Sequence, residues 1–253
     1  MSSRIIRTFP DVESLSEAAA QEFVRCTREA IAARGRFAVA LSGGSTPKRL
    51  YQLLTGEPFR GQVDWGRVEI FWGDERSVPP DDSQSNYRMA REAMLTKLPI
   101  PDDHIHRIEA ERPDLDAAAR DYQNVLARVL SGDPPALDLV LLGMGPDGHT
   151  ASLFPHTDAL RETTRWVVPN HVPQLHTNRL TLTRPILNRA REVLFLVAGA
   201  DKADRLAEVL AGPTDPTRLP SQSIQPDGQL VWFIDQAAAG RLPTSLTREN
   251  VQG

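Results

Sequence analysis

Asp147 and His149 lie two residues apart in the stretch GMGPDGHT, which follows the apolar run ALDLVLLG. A carboxylate beside an imidazole is the pairing that general acid–base chemistry uses, because the acid orients the ring and raises its basicity. The same stretch spells G-x-G-x-x-G over Gly143, Met144, Gly145, Pro146, Asp147 and Gly148, directly after a predicted strand. Such a pattern can seat a pyrophosphate, but a dinucleotide site also needs an acid about 20 residues further on for the ribose. The chain there reads WVVPNHVP, without an acid, and Asp147 itself would repel the pyrophosphate. The glycines therefore read as tight turns presenting Asp147 and His149. The two are either an acid–base dyad or a turn aspartate with a capping histidine, and no NAD or NADP is expected.

Three further polar stretches follow apolar runs. LSGGSTPKRL sets Ser42, Gly43, Gly44, Ser45 and Thr46 ahead of a helix pattern. The glycines let backbone approach a ligand, Ser45 or Thr46 can cap the helix, and Pro47 suits its first turn. Free N–H groups at a helix start can bind an anion. The spacing is neither a Walker A loop nor G-x-S-x-G, so the stretch reads equally as a phosphate cradle or an ordinary capped turn. In FWGDERSVPPDDSQSNY, Asp74, Glu75 and Arg76 come straight after a strand. Arg76 can fork an anion or polarise a carbonyl, or the three can belong to a solvated loop. In LVAGADKADRL, Lys202 falls in the first turn of a predicted helix, where a cation opposes the helix dipole. A bound phosphate would reverse that local field; a merely exposed lysine is the alternative. Arg179, in NRLTLTRP, opens another strand-like run and can add a second cation.

These residues need elements to position them, and the chain repeats one grammar. FAVALSGGSTPKRLYQLL, VEIFWGDERSVPPDDSQSNYRMAREAML, LDLVLLGMGPDGHTASLF and EVLFLVAGADKADRLAEVL each read as an apolar strand, a glycine-containing polar loop and a helix pattern. Continuous apolar strands alternating with helices argue for a parallel sheet covered on both faces. Ligands bind outside the carboxyl ends of such strands, so the polar loops are expected to converge on one crevice. SRIIRTF reads as a first strand, and QLVWFIDQAAAG as a last strand with a short helix. SLSEAAAQEFVRCTREAIAARG reads as a helix with a capping box at Ser14 and Glu17 and a terminal glycine at Gly35. Its buried face is expected to hold Leu15, Ala19, Phe23, Cys26, Ala30 and Ala33. The proline-rich breaks SGDPPALD and AGPTDPTRLPSQSIQP mark no shift in composition, so residues 1–253 read as one continuous α/β domain.

Composition narrows the function classes. With 40% apolar and 25% charged residues the chain is of ordinary globular type, and a net charge of −4 gives no basic footprint for nucleic acid. Cys26 is the only cysteine, which excludes an intrachain disulfide and Cys-rich zinc sites. His104, His106, His149 and His156 lack metal-ligand spacing, so no metal is expected. No apolar run approaches a membrane span, and the N-terminus lacks the apolar core of a secretory signal. The expected setting is cytoplasmic, with no membrane, nucleic-acid or obligate protein partner and no cofactor.

Taken together and in order, ALSGGSTPKRLY, FWGDERSVPPDDSQSNY, LLGMGPDGHTASLFP, NRLTLTRPILN and FLVAGADKA closely resemble the 6-phosphogluconolactonase family. The resemblance runs over nearly the whole chain, from about Ile5 to LVWFIDQAAA. It implies a modified Rossmann-like three-layer α/β/α sandwich with a mostly parallel sheet, as in the wider superfamily of deaminases, ribose-5-phosphate isomerases and CoA-transferases. It implies hydrolysis of the small sugar-phosphate lactone 6-phospho-D-glucono-1,5-lactone to 6-phosphogluconate, in the oxidative pentose phosphate pathway. By the same resemblance His149 is the general base, Asp147 orients it, and Arg76 contacts the substrate. Ser42, Gly43, Gly44, Ser45, Thr46, Arg179 and Lys202 would bind the substrate and its phosphate. Asp74 lies where related glucosamine-6-phosphate deaminases keep a proton-transferring aspartate, and is grouped with the substrate-binding residues. One departure separates the two branches. The deaminases resemble G-H-x-A-F-N-E-P, whereas this chain reads GHTASLFP, with Phe154 at the acidic position. That disfavours a deaminase, and the joint presence of Asp147, His149 and Arg76 disfavours a silent sugar-phosphate sensor.

Overall fold

The computed structural model describes residues 4–130 and 132–247. In chain order the main elements are β1 (Arg4–Phe9), α1 (Val12–Arg34), β2 (Phe37–Leu41), α2 (Ser45–Leu54), β3 (Val68–Trp72), β4 (Asp74–Arg76), α3 (Asn86–Ala93), α4 (Leu115–Val129), β5 (Leu139–Leu142), β6 (Val167–Val172), β7 (Thr177–Leu182), α5 (Arg184–Leu187), β8 (Glu192–Val197), α6 (Ala203–Ala211) and β9 (Gln229–Asp235). The predicted first strand is β1, whose expected opening residue Ser3 lies outside the described residues, as do the ends of the expected 1–253 unit.

Six strands form one parallel sheet in the order β1-β9-β8-β5-β2-β3. Every residue of β2, β3, β5 and β8 is buried, as apolar strands covered on both faces by helices require. The three-layer α/β/α arrangement is thus the one expected. From β2 the chain runs outward to β3, and from β5 it runs the other way through β8 to β9. The adjacent pair β2 and β5 is therefore the topological switch point, where a crevice opens at the carboxyl ends of the strands.

Several local expectations are corrected. The N-cap of α1 is Asp11, whose Oδ1 accepts from the Ser14 N–H at 2.8 Å, so Ser14 is inside the helix rather than its cap. Gly35 does end it, with φ 77 and its N–H donating to Ile31 O. The core face is as expected except that Ala33 is exposed. No α-helix follows β5; residues after Gly143 run through tight turns, because Pro146, Gly148 and a left-handed Ala151 (φ 47) interrupt any helical run. Asp74–Arg76 is not a solvated loop. It is β4, part of an antiparallel three-stranded sheet in the order β4-β7-β6. This second sheet goes beyond the expectation, in which only the run that forms β7 reads as strand-like: β4 is three charged residues, and VVPNHV of β6 sets Pro169, Asn170 and His171 among its valines, so neither run stands out as apolar.

Candidate active site

A cavity of about 320 Å³ opens at the switch point. Its walls come from the loops after β2, β5 and β8, from β4 and β7, and from the first residue of α3. Ser42, Gly43, Gly44, Ser45, Thr46, Asp74, Arg76, His149, Arg179 and Lys202 all line it, so ten of the eleven residues singled out in the sequence are brought together. The eleventh, Asp147, stands behind His149.

The dyad is formed. His149 Nδ1 lies 2.5 Å from Asp147 Oδ1, and the His149 backbone N–H donates to the same oxygen at 3.1 Å. With Nδ1 engaged by an acceptor, the proton belongs on Nδ1 and Nε2 carries the free lone pair. Burial pushes the Asp147 carboxyl up, but the hydrogen bonds and charge of His149 outweigh it, and the group is held below the ordinary aspartate value. The loop is tied at several points. Gly145 N–H donates to His149 O at 2.9 Å, Thr150 Oγ1 to Gly143 O at 2.9 Å, and Ser221 Oγ to Gly148 O at 2.9 Å. Gly145 is a packing requirement: a Cβ there would lie 2.1 Å from both Cε1 and Nδ1 of His149. On another side, the His149 ring stacks on Phe154 with centroids 3.9 Å apart and planes 23° apart.

The start of α2 differs from the expectation in a way that matters. Neither Ser45 nor Thr46 caps it; the N-cap is Gly44, at φ 105, and no side chain bonds the first turn. The Ser45 and Thr46 N–H groups therefore keep no partner within the helix, at a helix start whose residues line the cavity. Gly43 makes room for Asn86, whose Oδ1 would be 2.0 Å from a Cβ at that position. Asn86 also lines the cavity, and its Nδ2 donates to Asp74 O at 2.9 Å and to Asp74 Oδ1 at 3.3 Å. Lys202 stands at a helix start, as expected: it ends the 3-10 helix Ala200–Lys202 and is the N-cap of α6, one residue ahead of its first turn, with Nζ 3.1 Å from Asp201 Oδ2.

Cross-strand register explains the cationic wall. Arg76 on β4 is directly opposite Arg179 on β7, so both side chains leave the same face of the small sheet, an arrangement that like charges ordinarily disfavour. The Arg76 and Arg179 Nε–H groups are both buried without acceptors, although Arg76 Nη1 donates to Gln84 O. Burial lowers the Arg179 pKa, and the nearby Arg76 charge adds to that, while Asp74 opposes it. Asp74 is the one acid in the lining. Its Oδ2 accepts from Ser152 Oγ at 2.6 Å and lies 3.9 Å from Arg179 Nη1. Glu75, its neighbour, faces away from the cavity and accepts from the N–H groups of Asn86 and Tyr87 at 2.8 Å, which fixes the start of α3. Burial pushes the Glu75 carboxyl up, partly offset by those bonds.

Asn86, Ser152 and Phe154 were not foreseen as site residues. Asn86 follows a Ser85 N-cap in the quoted SQSNY stretch, but only the fold shows that it meets Gly43. Among the described residues, one cluster of potential metal ligands occurs, Glu22 with Cys26 and Glu192. It lies at the amino end of β8, opposite the cavity, and Arg25 already bonds all three residues. His104 and His106 flank Glu69 instead, with His106 Nε2 2.7 Å from its Oε2. No helix among the described residues is long and apolar enough to cross a membrane.

Known proteins resemble this chain over most of its length. The family described as glucosamine-6-phosphate isomerases/6-phosphogluconolactonase matches residues 10–232. A 6-phosphogluconolactonase of Synechocystis is 48% identical over 218 residues, covering 85% of this chain and 88% of that protein. One from Mycobacterium tuberculosis is 41% identical over 249 residues, covering 96% and 100%. The solved 6-phosphogluconolactonase of Trypanosoma cruzi superposes with a TM-score of 0.85 at 31% identity, covering 96% of this chain and 98% of that one.

Proposed function

The chain belongs to the family of glucosamine-6-phosphate isomerases and 6-phosphogluconolactonases, and from that premise we propose that it works as a lactone hydrolase with His149 as its base. It hydrolyses 6-phospho-D-glucono-1,5-lactone to 6-phosphogluconate, the hydrolytic step of the oxidative pentose phosphate pathway. A cytoplasmic setting is part of the same reading.

The observation that carries the base assignment is the dyad: His149 lines the cavity with its Nδ1 bonded to Asp147. In the reaction, water attacks the lactone carbonyl carbon and gives its proton to His149 Nε2. Asp147 stabilises the imidazolium that forms. The carbonyl oxygen becomes an oxyanion, and the guanidinium groups of Arg76 and Arg179 supply donors and charge for it. Collapse of the tetrahedral intermediate breaks the bond to the ring oxygen, which takes the proton back from His149 and becomes the C5 hydroxyl. Gly43, Gly44, Ser45 and Thr46 at the start of α2, with Lys202, bind the phosphate. Ser42 supports that loop through its backbone, whose N–H and C=O both bond the Tyr51 hydroxyl, at 3.0 and 2.8 Å. Asp74 balances the two arginines and accepts from a substrate hydroxyl. Lactone opening needs water, a base and oxyanion donors; solvent supplies the first and these side chains the other two, so the scheme calls for no metal or redox cofactor.

The deciding experiment is His149→Ala assayed on the phospholactone with spontaneous opening subtracted. Loss of a general base is expected to lower kcat by about 10²–10⁴-fold with the fold retained. Wild-type kcat in the purified variant would remove His149 from the chemistry.

A further inference from the structure

Phe154 is 3% exposed and lies against two of the charged or titratable groups of the cavity at once. Its ring stacks on the His149 imidazole at 3.9 Å between centroids and 23° between planes. The Arg179 guanidinium carbon stands 5.7 Å from the centre of the same ring. Neither partner is otherwise well held. His149 has one ring hydrogen bond, to an aspartate on its own turn whose side chain is 40% exposed. A single such bond leaves the imidazole free to swing about it. Arg179 has its Nε–H without an acceptor, and its contact with Asp74 is only 3.9 Å.

The aromatic ring supplies the missing constraint. Gly145 flanks the imidazole so closely that no Cβ fits there, and Phe154 contributes a flat face to the ring. Together they make a slot that sets the imidazole plane. The flat face also tolerates positive charge, since a ring quadrupole attracts a cation placed over it. It can therefore hold Arg179 throughout and His149 when it becomes protonated, without adding a second carboxylate to compete with Asp147 for the Nδ1 proton. Phe154 is itself anchored, because its backbone C=O accepts from Thr157 Oγ1 at 2.8 Å and from the Thr157 N–H at 3.3 Å.

We propose that Phe154 is a positioning residue for the hydrolysis, a shared aromatic platform that fixes the His149 ring and the Arg179 guanidinium relative to each other. The proposal rests on His149 being the base, and it makes the flatness of residue 154, rather than its bulk, the property that the reaction requires.

The test compares Phe154→Met and Phe154→Leu, which keep an apolar filler without a flat face, with Phe154→Tyr, which keeps the face. Folding of each is checked by circular dichroism and thermal melting. Because a misplacement of about 1 Å can lower a rate by about 10²-fold, Phe154→Met and Phe154→Leu are expected to lose between about 10- and 100-fold in kcat. KM is expected to change much less, and Phe154→Tyr to stay within a few-fold of wild type. A second readout is independent of turnover. NMR relaxation of the His149 Cε1–H group should report an ordered ring in wild type and Phe154→Tyr, and a mobile one in the two aliphatic variants. If either aliphatic variant folds and keeps wild-type kcat or an ordered His149 ring, the platform has no positioning role. If Phe154→Tyr is as slow as Phe154→Met, flatness is not the property in use. Retention of activity by His149→Ala would instead defeat the base assignment, so the two failures are separable.

Discussion

Replacing Gly145 by alanine should disable the site through sterics alone. Gly145 does not have positive φ, so an alanine fits its backbone without strain. The added methyl carbon, however, would stand 2.1 Å from Cε1 and Nδ1 of His149 and 2.9 Å from Asp147 Oδ1. Carbon contacts settle near about 3.5 Å, so the imidazole must retreat by well over an ångström. Phe154, stacked on the ring with centroids at 3.9 Å, limits that retreat. The ring has to rotate instead, which breaks the 2.5 Å bond to Asp147. A displacement of about 1 Å in a reacting group is worth about 10²-fold in rate, and loss of the orienting aspartate adds to it. Gly145→Ala is therefore expected to lose at least about 10²-fold in kcat/KM, approaching His149→Ala, with a melting temperature close to wild type. The assay generates the phospholactone in situ and couples 6-phosphogluconate formation to its NADP-dependent dehydrogenase, with the uncatalysed rate subtracted. Near-wild-type kcat/KM in a folded Gly145→Ala protein would mean that the imidazole need not occupy its slot, and the dyad geometry would lose its claim on catalysis.

Three more outcomes follow from other parts of the molecule. Lys202→Ala should slow turnover of the phospholactone but leave unphosphorylated gluconolactone unaffected, because binding energy at the phosphate is used to orient the carbonyl; equal losses on both substrates would end its assignment to the phosphate. Activity should survive exhaustive chelation with EDTA, and a loss restored by one divalent ion would overturn the metal-independent scheme. At the amino end of β8, burial first and the neighbouring Glu22 carboxylate second push the Glu192 carboxyl up to about 7. A folded-state value raised above the unfolded one means that stability is present in full below the unfolded value and is lost as pH rises toward 7. Glu192→Gln, which cannot ionise, should therefore gain in melting temperature relative to wild type between pH 5 and pH 8; a constant difference would show that Glu192 ionises normally.

The chain exposes its fold and its site to sequence reading unevenly, for physical reasons. The central strands are legible because a strand buried on both faces is an unbroken apolar run, and FAVAL, LVLL and VLFLV are such runs. Their convergence on one crevice follows from the rule for parallel sheets, which is why ten of the eleven singled-out residues meet in one cavity. The small antiparallel sheet is different. DER carries no apolar signature, and it is a strand because β7 offers a hydrogen-bonding edge, with Leu182 N–H also donating to Gly73 O at 2.8 Å. Tertiary pairing there overrides a local preference for loop. The missed site residues have the same origin: Asn86, Ser152 and Phe154 act through partners 12, 78 and 5 positions away, respectively Asp74, Asp74 and His149.

Asp74 links those misses to the chemistry. An isolated acid in an anion site should weaken binding, yet here it is buried and accepts bonds from Ser152 and Asn86. The reason lies in register. Arg76 and Arg179 are forced onto one face by direct cross-strand pairing, and two neighbouring guanidinium groups with buried, unsatisfied Nε–H atoms would repel each other in the absence of substrate. An alternation of side chains places Asp74, two residues before Arg76, on that same face. Its negative charge lowers the repulsion between the two guanidinium groups. The small sheet thus sets two guanidinium charges on the cavity wall, and in the proposed mechanism they would meet the oxyanion at the moment charge develops, which is the condition under which electrostatic stabilisation accelerates a reaction rather than merely tightening binding.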